Sequence, residues 1–291
     1  MTELRFSPCT IRPGELTQYA NLLRACFPKS HDRYTDRYLS WLYLENPDGP
    51  VVGFDAWDGD SLAAHYACIP IRAHLAGGEA KVLLSLNTAT HPSYQGRGLF
   101  TKLARLTYER AAESGYLAVI GVANANSTPG FLTKLSFQHV ASLKALIGFG
   151  PLRVTPEIVQ NRSSDFVRLW SPQALAWRLA NPFRPVRVAA AKPGLVAFGA
   201  STGIPGFTAW SERPVDASWN IKAKPSLTAT GARVFLGLLP EGERHSSFFW
   251  NIPARLRPAP LNFIYRPLRE TAPKKIVAER IFFDFLDFDA F

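Results

Sequence analysis

Apolar residues recur along the first half of the chain with two different spacings, and the spacing predicts the elements. Between residues 11 and 27 they fall three or four positions apart, which predicts an amphipathic helix. Residues 36–44 predict a second helix, and Asn46-Pro47 ends it. Further apolar runs are divided by glycine-containing turns, and they predict strands over 51–56, 61–71 and 81–89.

The pattern continues beyond these strands. It predicts a helix over 99–114, a strand over 116–122, a helix over 128–135 and a strand over 138–148. The resulting order, α-α-β-β-β-α-β-α-β, fits an α/β layer fold. At the end of the chain, F-F-D-F-L-D-F-D-A-F alternates apolar and acidic residues, which predicts a half-buried strand.

The second half of the chain repeats part of the first. Residues 39–47 read L-S-W-L-Y-L-E-N-P, and residues 175–182 read L-A-W-R-L-A-N-P. Two interpretations stay open: unrelated helices that share an Asn-Pro stop signal, or a tandem fold whose second copy has lost its glycine turn. Glycine and proline cluster over residues 148–156, so we predict two domains, 1–150 and 151–291.

A turn with two glycines joins the predicted strand 81–89 to the predicted helix 99–114. Residues 95–100 read Q-G-R-G-L-F. The first amides of a helix have no intrahelical partner, and the helix dipole adds partial positive charge there. Glycines let a diphosphate approach the backbone, so the junction predicts an anion-binding cradle, to which Arg97 adds a charge. No third glycine and no G-K-[S/T] follows, which separates this turn from the dinucleotide and P-loop motifs.

The residues around this turn resemble the GCN5-related N-acetyltransferase (GNAT) superfamily. T-A-T-H-P-S-Y-Q-G-R-G-L-F-T-K-L, residues 88–103, is similar to its acyl-CoA signature, and N-S-T-P-G-F-L-T-K-L-S-F, residues 126–137, to its second signature. The specific likeness covers residues 82–140, and the element order extends it to 5–148. The two halves together resemble tandem-GNAT sugar N-acyltransferases. The fold class implied is α/β: a GNAT-like mixed, mostly antiparallel sheet with flanking helices, followed by a degenerate second GNAT-like half.

The resemblance also implies an activity and a binding site. The implied activity is transfer of an acyl group to a primary amine by direct attack, with acetyl-CoA or another short acyl-CoA as co-substrate and no metal. Strand 84–90 would diverge from strand 117–122, with the pantetheine arm of the cofactor in the gap. The residues implied in cofactor binding are Leu86, Asn87, Thr88, Ala89, Thr90, Gln95, Gly96, Arg97, Gly98, Leu99, Phe100, Thr101 and Asn126.

The acceptor and the catalytic side chains are less closely defined. The expected acceptor is a nucleotide-linked amino-sugar; the alternatives are a small amine, an amino acid or a peptide, or a non-catalytic CoA-binding module. Many family members have a tyrosine acid where Leu132 stands here. An ammonium group cannot attack, so a base is needed. The candidates are His65, Asn87 as a positioning amide, and His91, with Asp55 or a chain of waters as further possibilities.

Charge and composition narrow the expected partners. Residues 151–291 carry 19 Lys+Arg against 11 Asp+Glu, whereas residues 1–150 carry 14 against 12. This basic second half favours an anionic small-molecule substrate, while the single basic residues and the absence of an RNP-like motif argue against nucleic acid. No apolar run reaches about 18 residues and no signal-peptide pattern begins the chain, so we expect a cytoplasmic protein without a membrane partner. The three cysteines form no metal-binding spacing.

Overall fold

The structure, a computed structural model, describes residues 3–154, 164–192, 194–214, 219, 231–240, 248–253, 255 and 260–289. These residues form five α-helices: α1 Leu16–Cys26, α2 Asp36–Tyr43, α3 Leu99–Glu113, α4 Thr128–Leu135 and α5 Pro172–Leu179. They also form fifteen strands: β1 Arg5–Pro8, β2 Val52–Asp58, β3 Ser61–Leu75, β4 Gly78–Thr90, β5 Ala118–Ala123, β6 Gln138–Ser142, β7 Lys144–Gly148, β8 Phe166–Arg168, β9 Arg187–Lys192, β10 Leu195–Ser201, β11 Phe207–Pro214, β12 Ala232–Leu238, β13 Phe249–Asn251, β14 Asn262–Pro267 and β15 Ile281–Asp284.

The helices and strands of the first half follow the predicted order, apart from β1 Arg5–Pro8, which was not predicted, and one exception among the predicted elements. Local signals mark their ends: the Thr35 side chain accepts a hydrogen bond from the amide of Tyr38 at the start of α2, and Gly98 begins α3 with a φ of 72°. The exception is the single strand predicted over 138–148, which is wrong. Leu143 divides it into β6 and β7, and the two strands pair with different partners. None of the described helices is long and apolar enough to cross a membrane.

The strands form one continuous mixed sheet, as the resemblance implied. Its main order is β6-β14-β5-β4-β3-β8-β15-β12-β11-β10-β9, and most neighbours are antiparallel, with parallel pairs at β4–β5, β8–β15 and β11–β12. Residues of β3 point alternately to its two faces. Ala67, Ile69 and Ile71 pack with α1 and α2, whereas Tyr66 and Cys68 pack with α3. The described helices of the first half therefore cover both faces of its sheet.

The two halves exchange strands. β7 comes directly after β6 in the chain, yet it pairs with β12 and β13 of the second half. In return, β14 from the second half lies between β5 and β6 and pairs with both. The division into domains 1–150 and 151–291 stays a prediction, and the pairing adds that each range supplies a strand to the sheet of the other.

The sequence repeat corresponds to a structural repeat. The order α2-β2-β3-β4 recurs as α5-β9-β10-β11, with antiparallel neighbours in both copies. After each helix an asparagine side chain accepts the amide two residues on: Asn46 from Asp48, and Asn181 from Phe183. The fold therefore has two halves of like topology, as the tandem interpretation predicts. Residues 215–218 and 220–230, where a second glycine turn would fall, lie outside the described residues.

Trp41 and Trp177, at equivalent places in the two copies, hold the halves together. Their rings stack with centroids 4.7 Å apart and planes 12° from parallel. The indole N–H of Trp41 donates to the carbonyl of Trp177 at 2.8 Å, and the indole N–H of Trp177 donates to the carbonyl of Trp41 at 2.8 Å. Both side chains are buried, so these tryptophans serve packing rather than ligand stacking.

Replacing Trp177 by phenylalanine tests this reciprocal contact. The variant keeps an aromatic ring but leaves the buried carbonyl of Trp41 without its donor. We expect the free energy of unfolding, measured with urea, to fall by about 1–3 kcal/mol. Trp250 is 53% exposed, and Trp250→Phe should change the same quantity by no more than about 0.5 kcal/mol. Equal losses in the two variants would contradict the assigned role.

Candidate active site

β4 and β5 run side by side and then separate. Their parallel pairing extends from Val82 opposite Ala118 to Ser85 opposite Gly121, and no pairing continues beyond these residues. A bulge lies at residues 86–87, since Thr88 faces Tyr66 on β3 but Ser85 already faces Cys68. We call the gap between β4 and β5 beyond Ser85 and Gly121 the strand opening.

A cavity of about 320 Å³ lies at the strand opening next to α3 and α4; we call it the α3-side cavity. Of the residues implied in cofactor binding, it is lined by Leu86, Thr88, Phe100 and Asn126. The Phe100 ring packs edge-on against Phe131 at a centroid distance of 5.2 Å. Gly130 makes this fit possible, because a Cβ there would lie 3.1 Å from the Phe100 ring.

The glycine turn, residues 95–98, faces open space at the start of α3. Gly96 and Gly98 have φ angles of 77° and 72°, in the left-handed region that favours glycine. A Cβ at either position would meet no atom within 4 Å. The first amides of α3, from Leu99 to Thr101, have no partner inside the helix by its geometry. Exposed amides, a helix dipole and free space fit a diphosphate group.

The side chains around the glycine turn have distinct places. The Gln95 amide lies 3.5 Å from the carbonyl oxygen of Thr90 and ties the turn to the end of β4. The Arg97 guanidinium lies 5.0 Å from the Tyr94 ring centroid and is exposed to solvent. Leu99 is buried in the core beneath α3, and Ala89 is buried on β4. Backbone amides and Arg97 are therefore the groups of this turn that an anion could reach.

A second cavity, of about 310 Å³, lies on the opposite face of the sheet next to α2; we call it the α2-side cavity. Its polar lining comes from Arg33, Tyr34, Tyr38, Ser85, Asn87, Asn124 and Asp289. Both cavities share five lining residues: Phe27, Ser85, Leu86, Val122 and Asn124. The two cavities therefore meet at the strand opening.

One ionic cluster forms a wall of the α2-side cavity. The Asp289 carboxylate accepts hydrogen bonds from Arg33, from the Tyr38 hydroxyl at 2.6 Å and from Asn181 at 3.1 Å, and it lies 3.4 Å from Arg178. Burial alone would raise the pKa of Asp289, but the Arg33 and Arg178 guanidinium groups outweigh it and hold that pKa below its ordinary value. Two cations around one carboxylate leave an excess positive charge at this wall.

The candidate catalytic residues lie in three different settings. Asn87 lines the α2-side cavity, and its Nδ2 donates to the Tyr43 hydroxyl. His65 is 1% exposed and lies behind it, between Tyr43 and Asp55. His91 lies in the turn after β4, where its Nδ1 accepts the amide of Ser93 at 3.3 Å. The structure brings Asn87 to the strand opening, and the catalytic roles of all three residues stay predictions.

Sequence reasoning did not place Arg33, Tyr43 or Asp289 at this site. Arg33 follows α1 in a short helical turn, and Asp289 lies far along the chain in a segment read as a strand. That strand prediction is wrong beyond Asp284. Residues 285–289 form turns, and the acidic Asp284 and Asp287 are buried rather than exposed. The apolar–acidic alternation therefore reflects buried ion pairs.

In the second half, the corresponding gap between β11 and β12 is filled by strand β15. β11 and β12 pair only from Phe207 to Ala209, and beyond this point β15 takes the free edge of β12. Gly237 permits the contact, because a Cβ there would lie 2.0 Å from the carbonyl oxygen of Phe283. Glu212 on β11 accepts the amides of Leu152 and Arg153 at 2.6 and 2.8 Å. In the described residues, the second copy has kept the topology of the first while its gap has been closed.

Comparison with known proteins agrees with this geometry. Residues 9–140 match the family model described as Acetyltransferase (GNAT) domain. No protein among the curated ones matches the chain. The chain is similar in structure to a probable N-acyltransferase from Enterococcus faecalis V583, with a TM-score of 0.60 and 10% identity over 92% of this chain and 73% of that one.

Two further solved structures have the same two-part fold. A GCN5-related N-acetyltransferase from Anabaena variabilis ATCC 29413 has a TM-score of 0.55 and 13% identity, over 91% of this chain and 73% of that one. Eis1 from Mycobacterium abscessus has a TM-score of 0.54 and 12% identity, over 91% of this chain and 74% of that one. At these identities the likeness shows the fold. The glycine turn and the strand opening both lie within residues 9–140, the part of the chain that matches the acetyltransferase (GNAT) domain.

Proposed function

We propose that the protein transfers an acetyl or other short acyl group from coenzyme A to the primary amine of a small anionic molecule. The observation that carries this proposal is the meeting of two cavities at the strand opening. The α3-side cavity lies near the glycine turn, which suits a diphosphate, and the α2-side cavity has a positive wall at Arg33. A donor and an acceptor held on opposite faces of the sheet would meet between β4 and β5.

The residues of the α3-side cavity and of α3 fit the cofactor. The amides of residues 99–101, with Gly96, Gly98 and Arg97, would hold the diphosphate, and the backbone of residues 86–90 would bond the pantetheine arm. Asn126 lines the same cavity. When bound, acetyl-CoA supplies an acyl thioester that an amine can attack. Leu132 packs in the core around α3, so no tyrosine stands at that position to protonate the departing thiolate. A thiol has an ordinary pKa of about 8.5, so its thiolate can leave with little assistance from an acid.

The α2-side cavity supports a compact, anionic acceptor. About 310 Å³ is at the small end of ligand sites, which span about 300–1,000 Å³. Arg33 uses its Nε on Tyr38 and one terminal nitrogen on Asp289. Its other terminal nitrogen makes no hydrogen bond within the described part of the chain, so it is free to bind a carboxylate or phosphate.

The nucleotide-linked amino-sugar expected from the resemblance is the larger candidate acceptor. Its support is the basic second half, whose arginines could meet a diphosphate outside the cavity. The α2-side cavity would then hold only the sugar that carries the amine. A phosphorylated amino-sugar or an amino acid would be held by Arg33 alone.

A matched acceptor panel tests the proposal. Release of the coenzyme A thiol from acetyl-CoA is followed with glucosamine 6-phosphate, glucosamine, a nucleotide-linked amino-sugar, amino acids and diamines. We expect glucosamine 6-phosphate to react at least about 10-fold better in kcat/KM than glucosamine, since only the former offers Arg33 a charge. Arg33→Met should remove that preference. Acetyl-CoA binding without turnover of any amine would instead support a non-catalytic binding module.

A further inference from the structure

A buried chain of hydrogen bonds leads inward from the α2-side cavity. Nδ2 of Asn87 lies 2.6 Å from the Tyr43 hydroxyl, and that hydroxyl lies 3.0 Å from Nε2 of His65. Nδ1 of His65 lies 2.7 Å from Oδ1 of Asp55. Tyr43, His65 and Asp55 are each no more than 1% exposed. Only Asn87, at the outer end, reaches a cavity.

The bond directions in this chain can be assigned from its two ends. At the outer end Nδ2 of Asn87 donates to the Tyr43 hydroxyl. At the inner end a carboxylate that accepts from the Tyr19 hydroxyl at 2.8 Å places the ring proton of His65 on Nδ1, 2.7 Å from Oδ1 of Asp55 and 4.0 Å from the Cys9 sulfur. The other nitrogen of a neutral imidazole is then an acceptor, so the single proton of Tyr43 points to His65. Tyr43 must accept from Asn87, which is possible only if the amide nitrogen of Asn87 faces inward.

The amide oxygen of Asn87 is consequently turned away from Tyr43. Within the described residues it makes no hydrogen bond, and the side chain lines the α2-side cavity beside the bulge of β4. A hydrogen-bond acceptor with a fixed orientation therefore faces the α2-side cavity, directly after Leu86, which lines both cavities. An amine is a donor, and its orientation toward the thioester decides whether attack is possible.

We infer that Oδ1 of Asn87 accepts a hydrogen bond from the amino group of the acceptor, and that Asp55 is a positioning residue that sets this orientation through His65 and Tyr43. The inference rests on the proposed function and deepens it. Asn87 touches the substrate, whereas Asp55 acts through two other side chains. Neither residue needs to take the proton of the amine.

Asp55→Asn should reverse the donor–acceptor direction of each hydrogen bond between residue 55 and Asn87 without moving the side chains. The amide of residue 55 can keep its oxygen toward Tyr19 and turn its nitrogen toward His65. Nδ1 of His65 then becomes an acceptor, the ring proton moves to Nε2, and Tyr43 accepts from His65. Tyr43 must then donate to Asn87, whose oxygen turns inward. The α2-side cavity would receive an N–H donor in place of an acceptor, which repels the amine.

The tautomer of His65 can be read directly. With ¹⁵N-labelled histidine, we expect the wild-type protein to carry the ring proton of His65 on Nδ1, and Asp55→Asn to carry it on Nε2. For the same variant we expect kcat/KM for the amine to fall about 10- to 100-fold, with an unchanged Kd for acetyl-CoA. Nuclear Overhauser contacts between the side-chain amide protons of Asn87 and the Tyr43 ring should be present in the wild type and lost in the variant.

Two tyrosine variants separate this effect from a loss of stability. Tyr43→Phe breaks the chain but leaves Asp55 in contact with His65, so kcat/KM should fall while the proton stays on Nδ1. Tyr108→Phe removes another buried hydroxyl, one bonded to Tyr66 on the far face of the sheet, and should change neither quantity. Thermal melting of each variant shows that it is folded.

Distinct outcomes would overturn distinct steps. A wild-type His65 protonated on Nε2, or on both nitrogens, would overturn the polarity of the chain. A switched tautomer with full turnover in Asp55→Asn would overturn the role of Asn87. If the wild-type protein acetylates no amine of the panel, the proposed function fails and the amine assignment falls with it, while the spectra still decide the polarity.

Discussion

Gly98→Asp is expected to weaken the binding of acetyl-CoA by at least about 100-fold. Gly98 is the residue before the first turn of α3, and a side chain there would project into open space in front of the helix amides. Aspartate would place its carboxylate where the diphosphate is expected, so that two anions compete for the same amides. Titration calorimetry with acetyl-CoA measures the effect.

The matched control is Gly98→Asn. Asparagine has nearly the same size as aspartate and tolerates the left-handed φ of 72° better than most residues, yet it carries no charge. We expect its affinity to stay within about 10-fold of the wild type. Equal losses in the two variants would show that shape, not charge, matters at this turn. Unchanged affinity in a folded Gly98→Asp protein would remove the glycine turn from the cofactor site.

Arg213→Met is expected to lower the free energy of unfolding by about 3–5 kcal/mol, because it leaves buried carboxylates without their cation. The Arg213 guanidinium donates to Asp284 at 2.9 Å and to Asp287 at 2.6 Å, and all three side chains are buried. Together they fasten the segment after β15 to β11. Urea unfolding at pH 7 measures the loss.

The pH dependence of this loss has a definite sign. Burial raises the pKa of Asp284 to about 6, although Arg213 acts to lower it. Without the guanidinium this pKa rises further above its unfolded value of about 3.9, so the folded variant takes up a proton more readily than the unfolded chain. The deficit relative to the wild type is therefore largest above the raised pKa of the variant, shrinks as the pH falls toward about 6, and is constant below that, where Asp284 is protonated in both folded proteins.

Arg37→Met provides the comparison. Arg37 pairs with Glu45, and their side chains are 57% and 42% exposed. Such a pair contributes about 0–1 kcal/mol, and its removal should show no comparable dependence on pH. A deficit of that small size in Arg213→Met would mean that the segment after β15 is held by its other contacts, among them the hydrogen bonds from Arg178 to its carbonyls and the Asp289 cluster.

Local signals account for what the sequence predicted well. α2 and α4 agree with their predicted bounds within a residue, since Thr35 caps the first and Pro129 lies in the first turn of the second. The glycine turn was found for the same reason, because its function depends on four consecutive residues. Asn87 was found because it lies in the strand that the motif identifies.

The features that escaped prediction are set by distant partners. Leu143 is an ordinary apolar residue, and β6 and β7 separate there because β14 enters from far along the chain. Asp284 and Asp287 look exposed until Arg213, some seventy positions earlier, is placed between them. The pair Arg33 and Asp289 lies at sequence separation 256. No window along the chain contains both members of these pairs.

The exchange of β7 and β14 also bears on the order in which the strands of the sheet can pair during synthesis. β5 leaves the ribosome early, but its neighbour β14 is translated much later, and Ile264 of β14 lines the α3-side cavity. Until then the edge of β5 is open, and an open edge invites pairing with other chains. A nascent polypeptide that has passed residue 150 thus still has this edge unpaired, and the α3-side cavity lacks the Ile264 part of its lining until residue 264 has emerged.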